Sequence, residues 1–258
     1  MLPILGYIGN IPIKTYYVFI IIGIILGFVL LYRNLSAGAS KTEKNRILFF
    51  ALIIFIPLFA GARIGYMLET RETGSFCCIN SVFGPGSLWW GLAVACISAF
   101  LINYLLKLNI WKTADFFAPS IALGGFFTRL GCLANGCCFG IPCSREYFFG
   151  TYFSLYSSAY SKYGELPLHP TQFYLAVSWL LIFFFIQYRF PRKKFTGELI
   201  LITGFLYGFF RFIIEFFRHT AETDLLSTAH YFCLFIMLLT GILYILKYTK
   251  NKPKNLTN

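Results

Sequence analysis

The stretch FFAPSIALGGFFTRLGCLANGCCFG, residues 116–140, indicates what kind of fold the chain adopts. It begins as a long apolar run and ends in twelve residues that include an arginine, an asparagine, three cysteines and three glycines. Polar groups in an apolar segment need partners, and inside a membrane they mark functional sites. The stretch therefore predicts a membrane-crossing helix with a polar site at one end.

The composition of the whole chain agrees with this interpretation. Of its 258 residues, 58% are hydrophobic and only 12% are charged, whereas soluble domains carry about a quarter charged residues. We therefore predict a polytopic α-helical membrane protein. One membrane domain is expected over residues 1–250, followed by a polar cytoplasmic tail at 251–258.

Seven apolar spans predict an all-α fold with seven transmembrane helices. Each approaches or exceeds the roughly 18 residues that cross a hydrocarbon core of about 30 Å. The spans cover residues 16–32, 47–68, 88–106, 115–134, 171–188, 198–217 and 228–247.

The net charge of +12 is explained by where the basic residues lie. Most of the lysines and arginines follow spans one, three, five and seven, which is the positive-inside bias of membrane proteins and not a nucleic-acid surface. This bias predicts an outer N-terminus and a cytoplasmic C-terminus, and no nucleic-acid partner. The long connection at 141–170, rich in Tyr, Ser and Phe, is predicted to form a small interfacial head on the outer face between helices four and five.

Three arginines, Arg63, Arg129 and Arg211, lie inside apolar spans near the predicted outer ends. The spacing of Gly61 and Gly65 around Arg63 predicts close helix packing. That packing gives no role to Arg63 itself, which must reach toward the headgroups or meet an anion.

Arg129 is the most informative of these arginines. It lies about 20 Å along a helix from Phe116, in the outer third of the bilayer. The spacing places Arg129, Cys132, Gly136 and Gly140 on a single helical stripe. The glycines would then let a neighbouring helix or a lipid headgroup come close to the backbone. We expect Arg129 to contact an anion there.

Arg211, Glu215 and Arg218 fall on one face of span six, at steps of four and three. Arginine before glutamate is the less favourable order for a helical ion pair, which contributes only a few tenths of a kcal/mol. Charges inside an apolar span need a stronger reason. We therefore expect an anion site in which Glu215 orients an arginine.

A rigid turn, His169-Pro170-Thr171-Gln172, opens span five. Pro170 favours a helix start, and Thr171 is a candidate to cap the first amides. His169 is the candidate acid or base, because histidine titrates near neutral pH. Asp115, at the start of span four, is predicted to cap the N-terminus of its own helix.

The chain has eight cysteines, which suggest either disulfides or thiolate ligands to a metal. The spacing of cysteines 132, 137, 138 and 143 fits no common zinc pattern, and adjacent cysteines rarely bridge each other. Disulfides are therefore favoured, for example Cys77 or Cys78 with Cys138 or Cys143. No metal and no other cofactor is expected.

Four stretches together resemble the prolipoprotein diacylglyceryl transferases of bacterial inner membranes. They are GARIGY at 61–66, residues 129–140, HPTQFY at 169–174, and the segment from Tyr207 to Arg218 that begins YGFFR. Tyr16 also fits a tyrosine of that family, and the order of spans matches over nearly the whole chain.

The resemblance implies transfer of the diacylglyceryl group of phosphatidylglycerol to the lipobox cysteine of a prolipoprotein, with release of glycerol phosphate. It implies a multi-pass protein of the bacterial cytoplasmic (inner) membrane, in contact with membrane lipid and with the prolipoprotein signal peptide. Arginines at headgroup depth suit a phospholipid donor, since guanidinium pairs bidentately with phosphate. The candidate catalytic residues are Arg129, Arg211, Glu215, His169 and Tyr16. The candidate substrate-binding residues are Arg63, Asn135, Gly140, Arg218 and Gln172.

Three positions depart from the family pattern. Trp89-Trp90-Gly91-Leu92 stands where many members have His-Gly-Gly-Leu, and Cys132 and Cys137 replace an asparagine and a glutamate. His169 would then replace the missing base, or the thiol would ionise with help from nearby arginines. Two alternatives stay open. One is a divergent paralogue with a different acceptor or a redox role for Cys132, Cys137 and Cys138; the other is a non-catalytic phospholipid-binding protein.

Overall fold

The structure is a computed structural model that describes residues 4–8, 11–70, 88–218 and 226–251. A β-hairpin pairs strands β1 (Ile4–Ile8) and β2 (Ile11–Lys14) in antiparallel fashion. The helices within the described ranges are α1 (Thr15–Gly38), α2 (Lys41–Ile53), α3 (Phe55–Thr70), α4 (Leu88–Leu105), α5 (Ile110–Asn135), α6 (Ser158–Tyr163), α7 (Thr171–Arg189), α8 (Glu198–Glu215) and α9 (Thr228–Asn251). A short 3-10 turn, Phe190–Arg192, follows α7.

Five segments are long and apolar enough to cross a membrane: Thr15–Gly38, Lys41–Leu68, Ile110–Asn135, Thr171–Arg192 and Thr228–Asn251. They coincide with predicted spans one, two, four, five and seven, and the chain is a polytopic membrane protein. Predicted span three corresponds to α4, and span six to α8, which has 18 residues. The total of seven spans and their orientation stay predictions.

Two local features differ from the predicted row of unbroken helices. The N-terminal hairpin was not predicted, although Gly9-Asn10 between two apolar runs is a turn pair typical of hairpins. Predicted span two is interrupted at Ile54, between α2 and α3. The interruption lies three residues before Pro57, whose ring lacks an N–H and clashes with the carbonyl four residues earlier.

The described residues divide into two compact units, and the first contains the chain up to Leu31 and from Ala114 onward. Its core is built from small and branched apolar side chains of α5, α7 and α8: Ala118, Ala122, Ile182, Ile186 and Leu199. Helix α9 packs closely on α8 through two glycines. A Cβ on Gly204 or on Gly208 would lie 2.8 Å from a side-chain atom of α9, so the backbones approach as they do in small-residue membrane interfaces.

Asp115 joins α5 to the start of α8. Its carboxylate is fully buried and accepts hydrogen bonds from the backbone N–H groups of Gly197 at 2.8 Å, Leu199 at 3.0 Å and Ile200 at 3.3 Å. These are the amides that a helix leaves without intrahelical partners at its N-terminus. Because each helix begins at this end of the unit, α5 and α8 run parallel.

The prediction that Asp115 caps its own helix is therefore wrong. Helix α5 begins five residues earlier, at Ile110, where Asn109 Oδ1 accepts from the N–H groups of Trp111 and Lys112 at 3.1 Å. Asp115 has the expected chemistry of an N-terminal cap, but it acts on a neighbouring helix. The sequence around Asp115 does not indicate a partner 82 residues further along the chain.

The second unit covers Tyr32–Thr113. In it, α3 packs on α4 through two glycines, as predicted from their spacing. A Cβ on Gly61 would lie 2.6 Å from Val94 Cβ, and one on Gly65 would lie 2.1 Å from Trp90 Cβ. Neither position has room for a side chain, so close packing explains both glycines.

The predicted head at 141–170 has a small core of its own. Leu168 forms isolated β-bridges with Pro142 and with Thr151, which fold the segment back on itself. The buried side chains at its centre are Phe153, Ala159 and Leu168. Helix α6 lies inside this segment, and the location of the head on the outer face stays a prediction.

Candidate active site

A Schellman motif ends α5 and turns the chain back over it. Gly136 has a φ of +68°, its N–H donates to the Leu133 carbonyl, and the Cys137 N–H donates to the Cys132 carbonyl, both at 3.2 Å. Glycine adopts this left-handed conformation without steric cost. The helix therefore stops at Asn135, whose side chain is a hydrogen-bonding neighbour of the Cys137 sulfur.

The predicted stripe along α5 is wrong beyond Cys132. Gly136 and Gly140 lie after the end of the helix, so they do not continue the face that carries Arg129. A Cβ on Gly136 would lie 2.5 Å from Ser157 Cβ. The segment that packs closely against Gly136 is therefore the head at 141–170.

The loop at 136–140 is held by the first residues of α7. Gln172 Nε2 donates to the Cys137 carbonyl at 2.7 Å, and Thr171 Oγ1 donates to the Cys138 carbonyl at 2.9 Å. Both side chains are fully buried. The prediction that Thr171 caps α7 is wrong, because its hydroxyl bonds the loop and the N-cap residue is Pro170.

Gly140 lies where three segments of backbone meet. Its N–H donates to the His169 carbonyl at 3.0 Å, and the next N–H, from Ile141, donates to the Phe217 carbonyl at 3.1 Å. A Cβ on Gly140 would lie 2.3 Å from the Phe217 oxygen and 2.6 Å from the His169 oxygen. Only glycine fits between these carbonyls, so Gly140 ties the loop to the start of α7 and to the end of α8.

The Schellman turn gathers three thiols. The sulfurs of Cys132, Cys137 and Cys138 all lie within 4.8 Å of one another. Cys132 is buried and the other two are half-buried. Residues that are separated in sequence thus form one cluster, which we call the thiol cluster.

The predicted disulfides at Cys138 and Cys143 are wrong, because both carry free thiols. The turn directs Cys138 toward the thiol cluster, and the Cys143 sulfur donates to the Pro167 carbonyl at 3.4 Å. The suggested partners, Cys77 and Cys78, lie outside the described residues.

Cys138 is the member of the thiol cluster that ionises most readily. Hydrogen bonds from Cys132 and Cys137 hold the pKa of its thiol far below the usual range, and the positive charges of Arg218 and Arg129 lower it further. The cluster therefore places three thiols next to arginines whose charge favours the ionised form of Cys138.

Two arginines, Arg211 and Arg218, flank one carboxylate near the end of α8, and a third, Arg129, acts electrostatically on Arg211. Arg211 Nη2 lies 2.6 Å from Glu215 Oε2, off the hydrogen-bonding direction, and Arg218 Nη1 lies 4.0 Å from the same oxygen. Arg211 is 9% exposed and Glu215 is 5% exposed. In the described part of the chain, Arg211 Nη1 is buried with no hydrogen-bond partner. Positive charge therefore exceeds what Glu215 neutralises.

Arg129 is the third arginine of this group. Its charge acts on Arg211 and on Cys138, and its guanidinium has no hydrogen bond or ion pair within the ranges that the structure describes. Tyr16 reaches the group from α1. A Cβ on Gly131 would lie 3.1 Å from the Tyr16 ring, and the phenol interacts electrostatically with Arg129 and with the three thiols.

His169 lies in an aromatic environment. Its ring centroid is 4.8 Å from that of Tyr147 and 5.2 Å from that of Phe217, and Nδ1 is 3.3 Å from the Tyr174 hydroxyl. Burial lowers the pKa of His169 below its ordinary value of 6.5, so the ring is neutral at neutral pH. Sequence reasoning missed Tyr147 and Tyr174, although Tyr174 stands only five residues after the histidine.

The remaining candidate, Arg63, belongs to the second unit. Its guanidinium carbon lies 5.6 Å from the centroid of the Tyr66 ring, a distance that suits a cation–π contact. The other predicted site residues all belong to the first unit.

The fold and these side chains define an integral membrane protein that gathers three arginines, one carboxylate and three thiols at one end of its helices. Comparison with known proteins identifies the family within this class. The family model for prolipoprotein diacylglyceryl transferase matches residues 3–246, so the chain belongs to that family, as its motifs predicted.

Several relatives align over nearly the whole chain. A phosphatidylglycerol–prolipoprotein diacylglyceryl transferase 2 of Clostridium perfringens (strain 13 / Type A) is 28% identical over 257 residues, which are 97% of each chain. A phosphatidylglycerol–prolipoprotein diacylglyceryl transferase of Clostridium tetani is 27% identical over 244 residues, 93% of this chain and 95% of the relative. One from Buchnera aphidicola subsp. Schizaphis graminum is 29% identical over 270 residues, 94% of this chain and 95% of the relative.

Proposed function

We propose that this protein transfers the diacylglyceryl group of phosphatidylglycerol to the cysteine thiol of a prolipoprotein, the first step of lipoprotein maturation. The observation that carries the proposal is the excess of guanidinium groups. Arg129 has neither ion pair nor hydrogen bond in the described chain, and Arg211 keeps a buried Nη1 without a partner. Such groups are costly in an apolar protein unless an anion binds them.

The phosphate of the donor lipid would be that anion. Arg129 and Arg211 would bind its oxygens and stabilise the charge that develops as glycerol phosphate leaves. Glu215 would orient Arg211 through their 2.6 Å ion pair. Arg218 would bind the phosphate as well, and Arg63, in the second unit, would bind a lipid headgroup.

The other candidate residues have different tasks in this proposal. His169 would be the acid or base, with a lowered pKa that keeps it neutral and able to accept a proton. Tyr16 would donate to the bound substrate. Gly140, Gln172 and Asn135 would act as positioning residues, since their contacts are with the loop at 136–140.

The proposal includes a location. The site would lie at the outer face of the bacterial cytoplasmic (inner) membrane, with the head at 141–170 at headgroup depth. The N-terminus would be outside and the C-terminus in the cytoplasm. A prolipoprotein exposes its lipobox cysteine at that face, next to the phosphatidylglycerol of the same leaflet.

The test is thioether formation on a lipobox peptide presented with phosphatidylglycerol vesicles. We expect Arg129→Ala and Arg211→Ala to lower kcat/KM by about 10²- to 10³-fold, the usual cost of removing one donor that stabilises a developing anion. Arg192→Ala is the matched control, because Arg192 contacts Tyr188 at the opposite end of the unit. Unchanged activity in both site variants would refute the assignment.

The thiol cluster supports a second candidate, a divergent paralogue with a different acceptor or a redox role for Cys132, Cys137 and Cys138. The assay of thioether formation on a lipobox peptide separates this candidate from the proposed transferase. Phosphatidylglycerol binding that depends on Arg129 and Arg211, without turnover on any thiol peptide, would instead favour the non-catalytic lipid-binding protein.

A further inference from the structure

Three thiols meet at the end of α5, and the proposed transfer assigns them no step. We propose that Cys132, Cys137 and Cys138 form a site for a thiophilic metal ion, Zn²⁺, whose open coordination position takes the cysteine thiol of the acceptor. The ion-binding part stands on the geometry of the cluster alone. The acceptor part rests on the proposed function.

The spacing of the sulfurs suits a metal ion. A zinc ion bound to sulfurs at about 2.3 Å holds them about 3.8 Å apart in a tetrahedral arrangement. The three sulfurs already lie within 4.8 Å of one another, so small side-chain rotations bring them to bonding distance. Three protein ligands leave the fourth position open, which is the pattern of catalytic zinc sites.

The backbone holds the cysteines in this arrangement. The Schellman turn fixes Cys137 above Cys132, and Cys138 has a φ of +60°. That left-handed conformation is sterically unfavourable for a non-glycine residue. The buried Thr171 and Gln172 hold it there through their hydrogen bonds to the two loop carbonyls, and strain maintained in this way clusters at functional sites.

The surroundings suit the charge and the access that the site needs. Three thiolates and one Zn²⁺ carry one net negative charge, which must be compensated in a buried position. Arg129 and Arg218 both act electrostatically on Cys138. Because Cys137 and Cys138 are only half-buried, one side of the cluster stays open to an incoming thiol.

The ion would activate the acceptor. Its cysteine thiol loses a proton to water on coordination, since a metal binds thiolate. The sulfur then attacks the diacylglyceryl carbon, a C–S bond forms, and the C–O bond to phosphate breaks. The electron pair stays on the phosphate oxygen, and glycerol phosphate leaves near Arg129 and Arg211. No oxidant or reductant is required.

Metal binding is measured first, without reference to activity. Full-length protein, purified in detergent with reductant and stripped with chelator, is titrated with Zn²⁺ and separately with Co²⁺. We expect one equivalent of Zn²⁺ per chain, and with Co²⁺ an intense sulfur-to-metal charge-transfer band and the visible spectrum of a tetrahedral site. The absence of stoichiometric binding would overturn the site.

Variants locate the ion. Cys132→Ser, Cys137→Ser and Cys138→Ser should each weaken Zn²⁺ binding by more than about 100-fold, beyond what outer-shell partners alone cause. Cys96→Ser and Cys233→Ser are controls that should bind like the wild type. Thermal unfolding of each stripped protein shows whether a variant is folded. Full affinity in the folded triad variants, or a disulfide within the cluster of the protein isolated without reductant, would overturn the proposal.

Activity is tested on the same preparations. Stripped protein should retain phosphatidylglycerol binding, lose thioether formation, and recover it with one equivalent of Zn²⁺. If stripped and loaded protein transfer equally fast, the acceptor part is wrong while the proposed function stands. If loaded protein binds Zn²⁺ but transfers nothing, the acceptor part falls together with the proposed function, and the ion-binding part stands on the titrations.

Discussion

Replacing Gly140 by alanine is the sharpest test of how the site is assembled. The added Cβ would lie 2.3 Å from the Phe217 oxygen, 2.6 Å from the His169 oxygen and 2.8 Å from His169 Cβ. Two of these three atoms are backbone oxygens, so no side-chain rotation relieves the contact. The loop must move away from α7 or from α8.

The cost of that movement follows from what it breaks. Overpacking of a filled site costs about 1–3 kcal/mol. Separation of the segments also weakens the hydrogen bonds from Gly140 to His169 and from Ile141 to Phe217, each worth about 1 kcal/mol. We expect a total loss of about 3–5 kcal/mol. At about 2–4 °C per kcal/mol, that lowers Tm by about 6–20 °C.

The assay is thermal unfolding in detergent, followed by intrinsic fluorescence. Gly124→Ala is the matched control, because a Cβ at Gly124 meets no atom within 4 Å, and alanine is favoured over glycine inside a helix by about 1 kcal/mol. Its Tm should equal or exceed that of the wild type. A Gly140→Ala protein that unfolds within 1 °C of the wild type would falsify the three-segment junction.

Three further predictions concern single side chains. Asp115→Ala should lower the free energy of unfolding by about 3–5 kcal/mol, because it leaves buried amides of α8 and Lys193 without their partner. Urea unfolding measures this loss. A loss below about 1 kcal/mol would contradict the cap that Asp115 forms on α8. Arg211→Lys should lower kcat/KM at least about tenfold although it keeps the charge, since the planar fork is lost; equal transfer rates by the two proteins would argue against bidentate phosphate binding. Because the pKa of His169 is lowered from 6.5, folding disfavours its protonated form, so stability is full above that pH and declines as pH falls through the lowered pKa. The slope of Tm against pH in this acid range should therefore be smaller in His169→Gln, and equal slopes would be inconsistent with a buried neutral ring.

Sequence reasoning predicted five membrane-crossing segments and the charged group at the end of α8, for the same physical reason. Apolar length and helical spacing are local properties, so the face shared by Arg211, Glu215 and Arg218 can be read from steps of four and three. The same rule failed at the end of α5. Gly136 directly follows Asn135, a typical C-terminal signal, yet the apolar period suggested that the helix continued.

Contacts that depend on tertiary structure could not be predicted. Asp115 and Gly197 are 82 residues apart, and the sequence around either residue does not indicate that the two are in contact. The thiol cluster is a similar case. Its three sulfurs come within 4.8 Å of one another only because the chain turns back at Gly136. Thr171 was assigned its commonest role, whereas its hydroxyl bonds the Cys138 carbonyl.

The parallel pair α5 and α8 is fastened at both ends. At one end the Asp115 carboxylate binds the first amides of α8, and at the other the bridge between Gly140 and Arg218 joins the segments that follow the two helices. Neither helix can slide along its axis without breaking one of these attachments. Arg129 and Arg211, which these two helices carry, are therefore held at a fixed offset along the helix axes.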